Sequence, residues 1–233
     1  MNIAVIPARG GSKRIPRKNI RDFCGKPIIA WPIELALACG LFEHVIVSTD
    51  DPEVQAVARA HGAEVPFTRP ADLSDDHATT LAVISHATRW ALGQGWPLSA
   101  VCCVYATAAL LESHDLAAGL TALDSGRWDY VLTATTFEAP IHRGFLTTVD
   151  DGVAMLFPEF AATRSQDLPV VLHDAAMCYW GRPHAWVEQR PILSASSRVV
   201  RVPRQQAQDI DTPEDWAIAE ALFRARAAVG AHG

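Results

Sequence analysis

IAVIPARGGSKRIPRKNIR, residues 3–21, joins a short apolar block to the main concentration of positive charge in the chain. Ile3-Ala4-Val5-Ile6 is β-branched and uninterrupted by polar residues, the pattern of a strand buried on both faces. Six bases follow within residues 6–21 (Arg9, Lys13, Arg14, Arg17, Lys18 and Arg21), and no carboxylate interrupts them before Asp22. The whole chain has 20 Lys and Arg against 26 Asp and Glu, so outside this loop 14 bases face 26 acids. A Gly-containing cationic loop at the carboxyl end of a first strand is where open α/β sheets hold ligands. Gly10 and Gly11 allow the backbone to approach an anion, and Lys and Arg neutralise phosphate oxygens, Arg bidentately. The loop has no G-x-G-x-x-G spacing, and Gly10-Gly11-Ser12-Lys13 does not satisfy G-x-x-x-x-G-K-[ST]. The other readings of such a run are a solvated basic face and a nucleic-acid patch. A formal net charge of −6 and a pI near 5.8 argue against general nucleic-acid binding.

Downstream, strand and helix patterns alternate. Pro27–Cys39 reads as a helix closed by Gly40, with Pro32 tolerable only in its first turn. His44–Ser48 is a second strand. Asp50 or Asp51 then caps a helix entered by Pro52, with Val54, Val57 and Ala58 inward and Gly62 at its end. Glu64–Phe67 reads as a third short strand and 78–92 as a helix. Ala100–Tyr105 is a strand, 115–123 a helix and Tyr130–Thr135 a strand. This rhythm predicts a three-layer α/β fold: a mostly parallel, doubly wound, Rossmann-like sheet with helices on both faces. The rhythm breaks after Thr136, where residues 144–148 and 153–156 flank Val149-Asp150-Asp151-Gly152 as a hairpin. With 233 residues and 49% hydrophobic content, residues 1–233 are expected to form one domain, with 137–180 as an excursion and frayed ends at 227–233. The five cysteines include no C-x-x-C pair, so neither disulfides nor structural zinc are expected. No apolar run reaches 18 residues and no signal peptide is read, so the expectation is a soluble, cytoplasmic protein without membrane association.

Asp209-Ile210-Asp211 is the second chemical feature. In an extended segment both carboxylates face one side and Ile210 the other. Two hard oxygen donors suit Mg²⁺, which is commonly held by one or two carboxylates plus substrate phosphates. The bland alternative makes Asp211 a helix cap. However, Thr212-Pro213-Glu214-Asp215 already supplies an N-cap, a proline at the first helical position and an acid at the third, leaving Asp211 spare.

IPARGGSKRIPRKN closely resembles the N-terminal motif of the acylneuraminate cytidylyltransferases. The resemblance continues through VSTDD at 47–51, RPADLSDD at 69–76, RSQDL at 164–168, HDAAMCYWG at 173–181 and DIDTPED at 209–215, in family order. RSQDL followed by HDA-x-x-x-YWG is most similar to the pseudaminic acid branch. The resemblance implies the nucleotide-sugar transferase fold, a homodimer, and transfer of CMP from CTP to a nonulosonic acid with release of pyrophosphate. It places Ala8, Arg9, Gly10, Ser12, Lys13, Lys18, Asn19, Arg69, Ala78 and Thr80 at the nucleotide. Arg9, Lys18, Asp209 and Asp211 would be catalytic, the two aspartates holding Mg²⁺ or another divalent ion such as Mn²⁺. Arg143, Arg164, Gln166, His173, Asp174 and Tyr179 would hold the sugar. The family's Pro-Thr-x-Pro loop reads Ala106-Thr107-Ala108-Ala109 here, and HDAGQFYWG of the pseudaminic branch reads HDAAMCYWG. The alternatives are the same reaction on N-acetylneuraminic or legionaminic acid, and a nucleotide-binding module without transfer activity.

Overall fold

In the computed structural model, which describes residues 1–230 with side chains as far as Arg226, the first strand is buried on both sides. Ala4 and Ile6 point into one hydrophobic cluster, Ile3 and Val5 into another. The strands in chain order are β1 (Asn2–Pro7), β2 (Asp22–Phe23), β3 (Lys26–Pro27), β4 (His44–Ser48), β5 (Ala100–Val104), β6 (Tyr130–Thr136), β7 (Phe145–Thr147), β8 (Val153–Met155), β9 (Leu172–Gly181) and β10 (Ser197–Arg201). The helices are α1 (Ala30–Ala38), α2 (Pro52–Ala60), α3 (Thr80–Gly93), α4 (Ser113–Asp124), α5 (Pro183–Val187) and α6 (Pro213–Gly230). The side chains of 227–230 and all of 231–233 lie outside the described residues, and with them the expected fraying of 227–233.

Six strands form one sheet in the order β10-β6-β9-β5-β1-β4. β1 pairs in parallel with β4 and β5, and β6 with β10, whereas β9 runs antiparallel between β5 and β6. The sheet is therefore mostly parallel, as its rhythm predicts, with one reversed strand that the rhythm does not reveal. Ile33, Ala36, Val54, Ala58, Leu116 and Leu123 of α1, α2 and α4 pack on one face. Ile84, Ala87 and Ala91 of α3 and Trp186 of α5 pack on the other.

Local chemistry accounts for the element boundaries. Asp51 caps α2 by accepting from Glu53 N at 2.9 Å and Val54 N at 3.0 Å, and Pro52 opens the first turn. The third strand expected at 64–67 is reduced to a single parallel bridge, Glu64 to Ile46. Pro66 has no N–H to continue the ladder. The hairpin forms as β7 and β8 with Asp151 at φ 56°, but it makes a separate two-stranded sheet. The excursion leaves the central sheet only over residues 137–171, not to 180, because Leu172 onward pairs with β6. All five cysteines are free thiols.

Gly119 of α4 lies against Trp180 of β9. A Cβ there would sit 2.5 Å from Trp180 Cδ1, and the indole N–H is fixed by the Leu116 carbonyl at 3.0 Å. Gly119→Ala is expected to cost about 1–3 kcal/mol from overpacking, partly offset by better helix propensity. Urea unfolding checks this: the midpoint should fall with the slope unchanged.

Candidate active site

The chain leaves β1 toward β4 on one side and reaches β5 on the other, which opens a crevice at the carboxyl ends of these strands. A cleft of roughly 290 Å³ occupies it. Eight residues expected at a nucleotide line this cleft: Arg9, Ser12, Lys13, Lys18, Asn19, Arg69, Ala78 and Thr80. Ala8 and Gly10 do not; Ala8 is buried, with its N–H donating to the Ser48 carbonyl at 3.0 Å.

The basic loop is anchored from below by Ile15. Ile15 is fully buried with Phe23, Ile28, Ile210, Trp216 and Ala219, so the loop, the 209–211 segment and α6 share one small core. Arg17, in the left-handed region at φ 54°, clamps Asp51 through both guanidinium nitrogens and also pairs with Glu53. That clamp, with the cap bonds to α2, lowers the Asp51 carboxyl to about 2. Arg17 therefore fastens the loop to α2 and does not line the cleft. Gly10 has a similar use: a Cβ there would collide with Asp51, and its N–H faces Asp50 Oδ1 at 3.4 Å. The expected anion approach at Gly10 gives way to close packing on α2, while Gly11 borders open space. Asn19 braces the turn by donating to the Arg9 carbonyl at 3.0 Å.

The cleft's cations are paired with carboxylates. Arg9 binds Asp76 at 2.6 Å and the Asp75 carbonyl at 3.0 Å, and Lys13 reaches the same Asp76. These two cations hold the Asp76 carboxyl below its ordinary value, Lys13 foremost. Arg14 pairs with Asp211 at 3.0 Å. Lys18 donates to the Ile210 carbonyl and lies 3.4 Å from Asp211 Oδ1. Such exposed pairs are weak and exchangeable, so an incoming polyanion can take over Arg9 and Lys13 by displacing Asp76. Arg69 is different. It is only 4% exposed and is fixed by the Ser48 carbonyl at 3.3 Å, Ser74 Oγ at 3.2 Å and Asp50 at 3.5 Å. Ala78 N–H is held by Asp75 Oδ1 at 2.8 Å.

The 209–211 segment has the expected alternation. Ile210 is 1% exposed, while both aspartates keep contact with solvent. Asp211 lines the cleft and Asp209 does not, although Asp209 is near enough to Asp211 and Lys18 to feel both charges. Burial first, and then the Asp211 charge, raise the Asp209 carboxyl above its ordinary value. Thr212 and Asp215 cap α6 reciprocally: Asp215 N donates to Thr212 Oγ1 at 3.2 Å, and Asp215 Oδ2 accepts from Thr212 N at 2.7 Å and Asp211 N at 3.0 Å. Asp211 is thus spare, as its spacing implies. Among the described residues there is no group of three or more His, Cys, Asp and Glu able to hold a metal. Two crowded carboxylates still fit a hard divalent cation whose coordination is completed by substrate phosphates and water.

The residues expected at the sugar do not form one group. Asp174 and Tyr179 meet, with Tyr179 O–H donating to Asp174 Oδ2. They lie where the β6–β9 register shifts between Leu132 and Ala134, a bulge containing Ala176 at φ 50°. His173 lies against Phe137, ring centroids 4.7 Å apart and planes tilted by 52°. Arg143 is committed to main-chain carbonyls of Phe160 (3.2 Å), Ala161 (3.0 Å) and Thr163, so it braces the excursion. Arg164 is largely exposed and paired with Asp167 at 2.7 Å, and Gln166 is exposed on the same turn. Tyr105, which sequence reasoning leaves out, lines the cleft and connects the groups: its hydroxyl is 3.1 Å from Thr80 Oγ1, and its ring meets Tyr179 edge-on at 5.4 Å. Its place at the end of an apolar strand on the ligand-binding edge is the signal that could have found it. Asp76, also left out, was legible as the last acid of RPADLSDD.

Residues 3–218 match the family model described as Cytidylyltransferase. The chain is 42% identical over 223 residues, 96% of each protein, to the pseudaminic acid cytidylyltransferase of Campylobacter jejuni. It is 30% identical over 221 residues to N-acylneuraminate cytidylyltransferase B of Danio rerio, covering 93% of this chain and 50% of that protein. In architecture it is similar to CMP:2-keto-3-deoxy-manno-octonic acid synthetase, solved in complex with CTP, with TM-score 0.70, 19% identity, and 97% and 99% of the two chains covered. No helix among the described residues is long and apolar enough to cross a membrane.

Proposed function

The chain belongs to the cytidylyltransferase family, and we propose that it joins CTP to pseudaminic acid, giving the CMP-sugar and pyrophosphate. The observation that carries this reading is the convergence of Arg9, Lys13, Lys18 and Arg69 on one cleft beside Asp211. The triphosphate takes Arg9 and Lys13 from Asp76, with Ser12 adding a hydroxyl. Arg69 and the Ala78–Thr80 turn face the base and ribose, where the rigid hold on Arg69 favours selection over mere attraction.

In the reaction the anomeric hydroxyl oxygen of the sugar forms a bond to the α-phosphorus. The bond from that phosphorus to the bridging oxygen breaks, pyrophosphate leaves with its electron pair, and the proton of the attacking hydroxyl passes to water. Negative charge grows on the equatorial and leaving oxygens, and fixed cations stabilise it without reorganising. Lys18 is suited to that role, being held beside Asp211 and mostly withdrawn from solvent, with a side chain 21% exposed. Arg9 supplies a second, bidentate donor. Asp209 and Asp211 would hold Mg²⁺ or Mn²⁺, which supplies Lewis acidity at phosphate and at the attacking hydroxyl when bound. Among the sugar residues, Asp174 and Tyr179 are best placed, near the cleft through Tyr105. Five free thiols and dependence on CTP favour the cytoplasm as the place of action.

The excursion supports a homodimer. Phe145, Leu146, Val149 and Val153 are 59%, 61%, 101% and 69% exposed, a run of apolar side chains with no cover in the monomer. Replacing Phe145 and Leu146 together by Asp is expected to convert dimer to monomer in light scattering, with the melting midpoint of the α/β body within a few degrees.

Pyrophosphate release measured in parallel with pseudaminic, legionaminic and N-acetylneuraminic acids tests the substrate. Release with pseudaminic acid at a kcat/KM well above the others supports the reading. Preference for another nonulosonic acid would keep the reaction and replace the sugar.

A further inference from the structure

The two carboxylates beside the basic loop are held in different ways. Asp211 is fixed from the α6 side: Asp215 Oδ2 accepts from its N–H at 3.0 Å, and Arg14 and Lys18 flank its carboxylate. Asp209 is exposed and lies between two buried anchors, Gln206 and Ile210. Ile210 packs with Ile15 and Trp216. Gln206 closes the short turn Arg204–Gln206, and its side chain reaches α4, where Nε2 donates to Asp115 Oδ2. Asp115 is also buried, and the same oxygen accepts from Glu112 N at 3.1 Å. Its other oxygen faces His114 Nε2 at 3.2 Å. The support beneath is rigid, since Leu116 is fully buried and its carbonyl takes the Trp180 indole N–H at 3.0 Å. α4 is already capped by the reciprocal Glu112–Asp115 bonds. The Gln206 bond is therefore spare as a cap, and it ties α4 to the segment that carries Asp209.

We propose that the Gln206–Asp115 bond sets the position of Asp209, so that its carboxylate and that of Asp211 converge on the divalent ion. The proposal rests on the reading of these aspartates as a metal site and deepens it. Gln206 and Asp115 are positioning residues, acting on the ion only through the main chain of 207–209. With the bond removed, that stretch is tethered at Ile210 alone, and Asp209 drifts while Asp211 keeps its contacts with α6.

The test is CTP affinity as a function of Mg²⁺, measured by titration calorimetry. Wild-type affinity should rise with Mg²⁺. Gln206→Met keeps an unbranched chain of similar length without the donor, and the Mg²⁺ concentration giving half the rise should be about tenfold higher, the scale on which contacts that orient a metal's ligands act. CTP affinity in EDTA should stay within about twofold, because the cations of the cleft are untouched. Asp115→Asn is the conservative variant: its amide oxygen accepts from Glu112 N–H and Gln206, and its NH₂ faces His114 Nε2. The half-rise concentration should then remain within about twofold of wild type. In an Asp209→Ala background, Gln206→Met should add less than about twofold, since the residue it positions is gone. An unchanged half-rise in Gln206→Met, a full tenfold effect without Asp209, or CTP weakened equally with and without Mg²⁺ would overturn the proposal. The last is the mark of a purely structural role. A wild-type affinity indifferent to Mg²⁺ would remove the metal reading itself, and the proposal with it.

Discussion

Lys18→Ala is expected to lower kcat for cytidylyl transfer by roughly 10²–10³-fold, the range for loss of one preorganised donor aimed at developing charge. The Nζ group is held by the Ile210 carbonyl and Asp211, so its position is set before substrate arrives. That placement depends on Ile15 and Ile210 sharing a core with Trp216. Because the interaction strengthens as charge builds on phosphate oxygens, KM for CTP should change much less than kcat. Steady-state kinetics with CTP and pseudaminic acid, beside a melting curve, checks it. Wild-type kcat in this variant would refute the role given to Lys18.

The double change Asp209→Ala/Asp211→Ala should reduce pyrophosphate release to background, a loss of at least about 10³-fold, at every Mg²⁺ concentration. CTP affinity should also lose its dependence on Mg²⁺. The two carboxylates differ in their surroundings. Asp211 is balanced by Arg14 and Lys18, whereas Asp209 is raised by burial and by Asp211 itself. A folded-state pKa above the unfolded value means that the folded protein binds this proton more tightly. The stability that Asp209 contributes is therefore lost as pH rises through the window from the ordinary carboxylate value to its raised one. Because Asp209 is exposed and solvent screens its shift, Asp209→Asn should leave the urea midpoint at pH 7 level or slightly raised while removing activity, the signature of a charge kept for function. A midpoint that falls, or activity that survives the double change, would contradict the metal assignment.

The parallel core of the fold was legible because its strands are continuous apolar runs and its helices carry their own punctuation. Asp51-Pro52 opens α2, Thr212-Pro213 opens α6, and Gly40 and Gly62 sit past helix ends at φ 70° and 92°. β9 was not legible as a strand. Its residues LHDAAMCYWG lack period-two alternation because the first half is bulged and the second is buried on both faces. Its antiparallel sense is set by pairing with β5 and β6, which no local pattern encodes. At the site, charge and spacing picked out the basic residues that line the cleft and Asp211, which the α6 cap leaves spare. They could not foresee that Arg143 would be consumed by three carbonyls of its own excursion, since those contacts join residues 17 to 20 apart through an irregular loop. Nor does composition distinguish Arg17, which fastens the loop, from Arg9, which lines the cleft.

Transfer of a cytidylyl group to a nonulosonic acid in this cleft is what the catalytic and sugar-binding roles proposed above depend on. Incubation with CTP, Mg²⁺ and pseudaminic acid, followed by mass spectrometry and a pyrophosphate assay on the same sample, probes that transfer itself. The predicted result is CMP-sugar and pyrophosphate in equal amounts, with no product when the sugar is omitted. Tight CTP binding without CMP-sugar, or CTP breakdown that ignores the sugar, would contradict it.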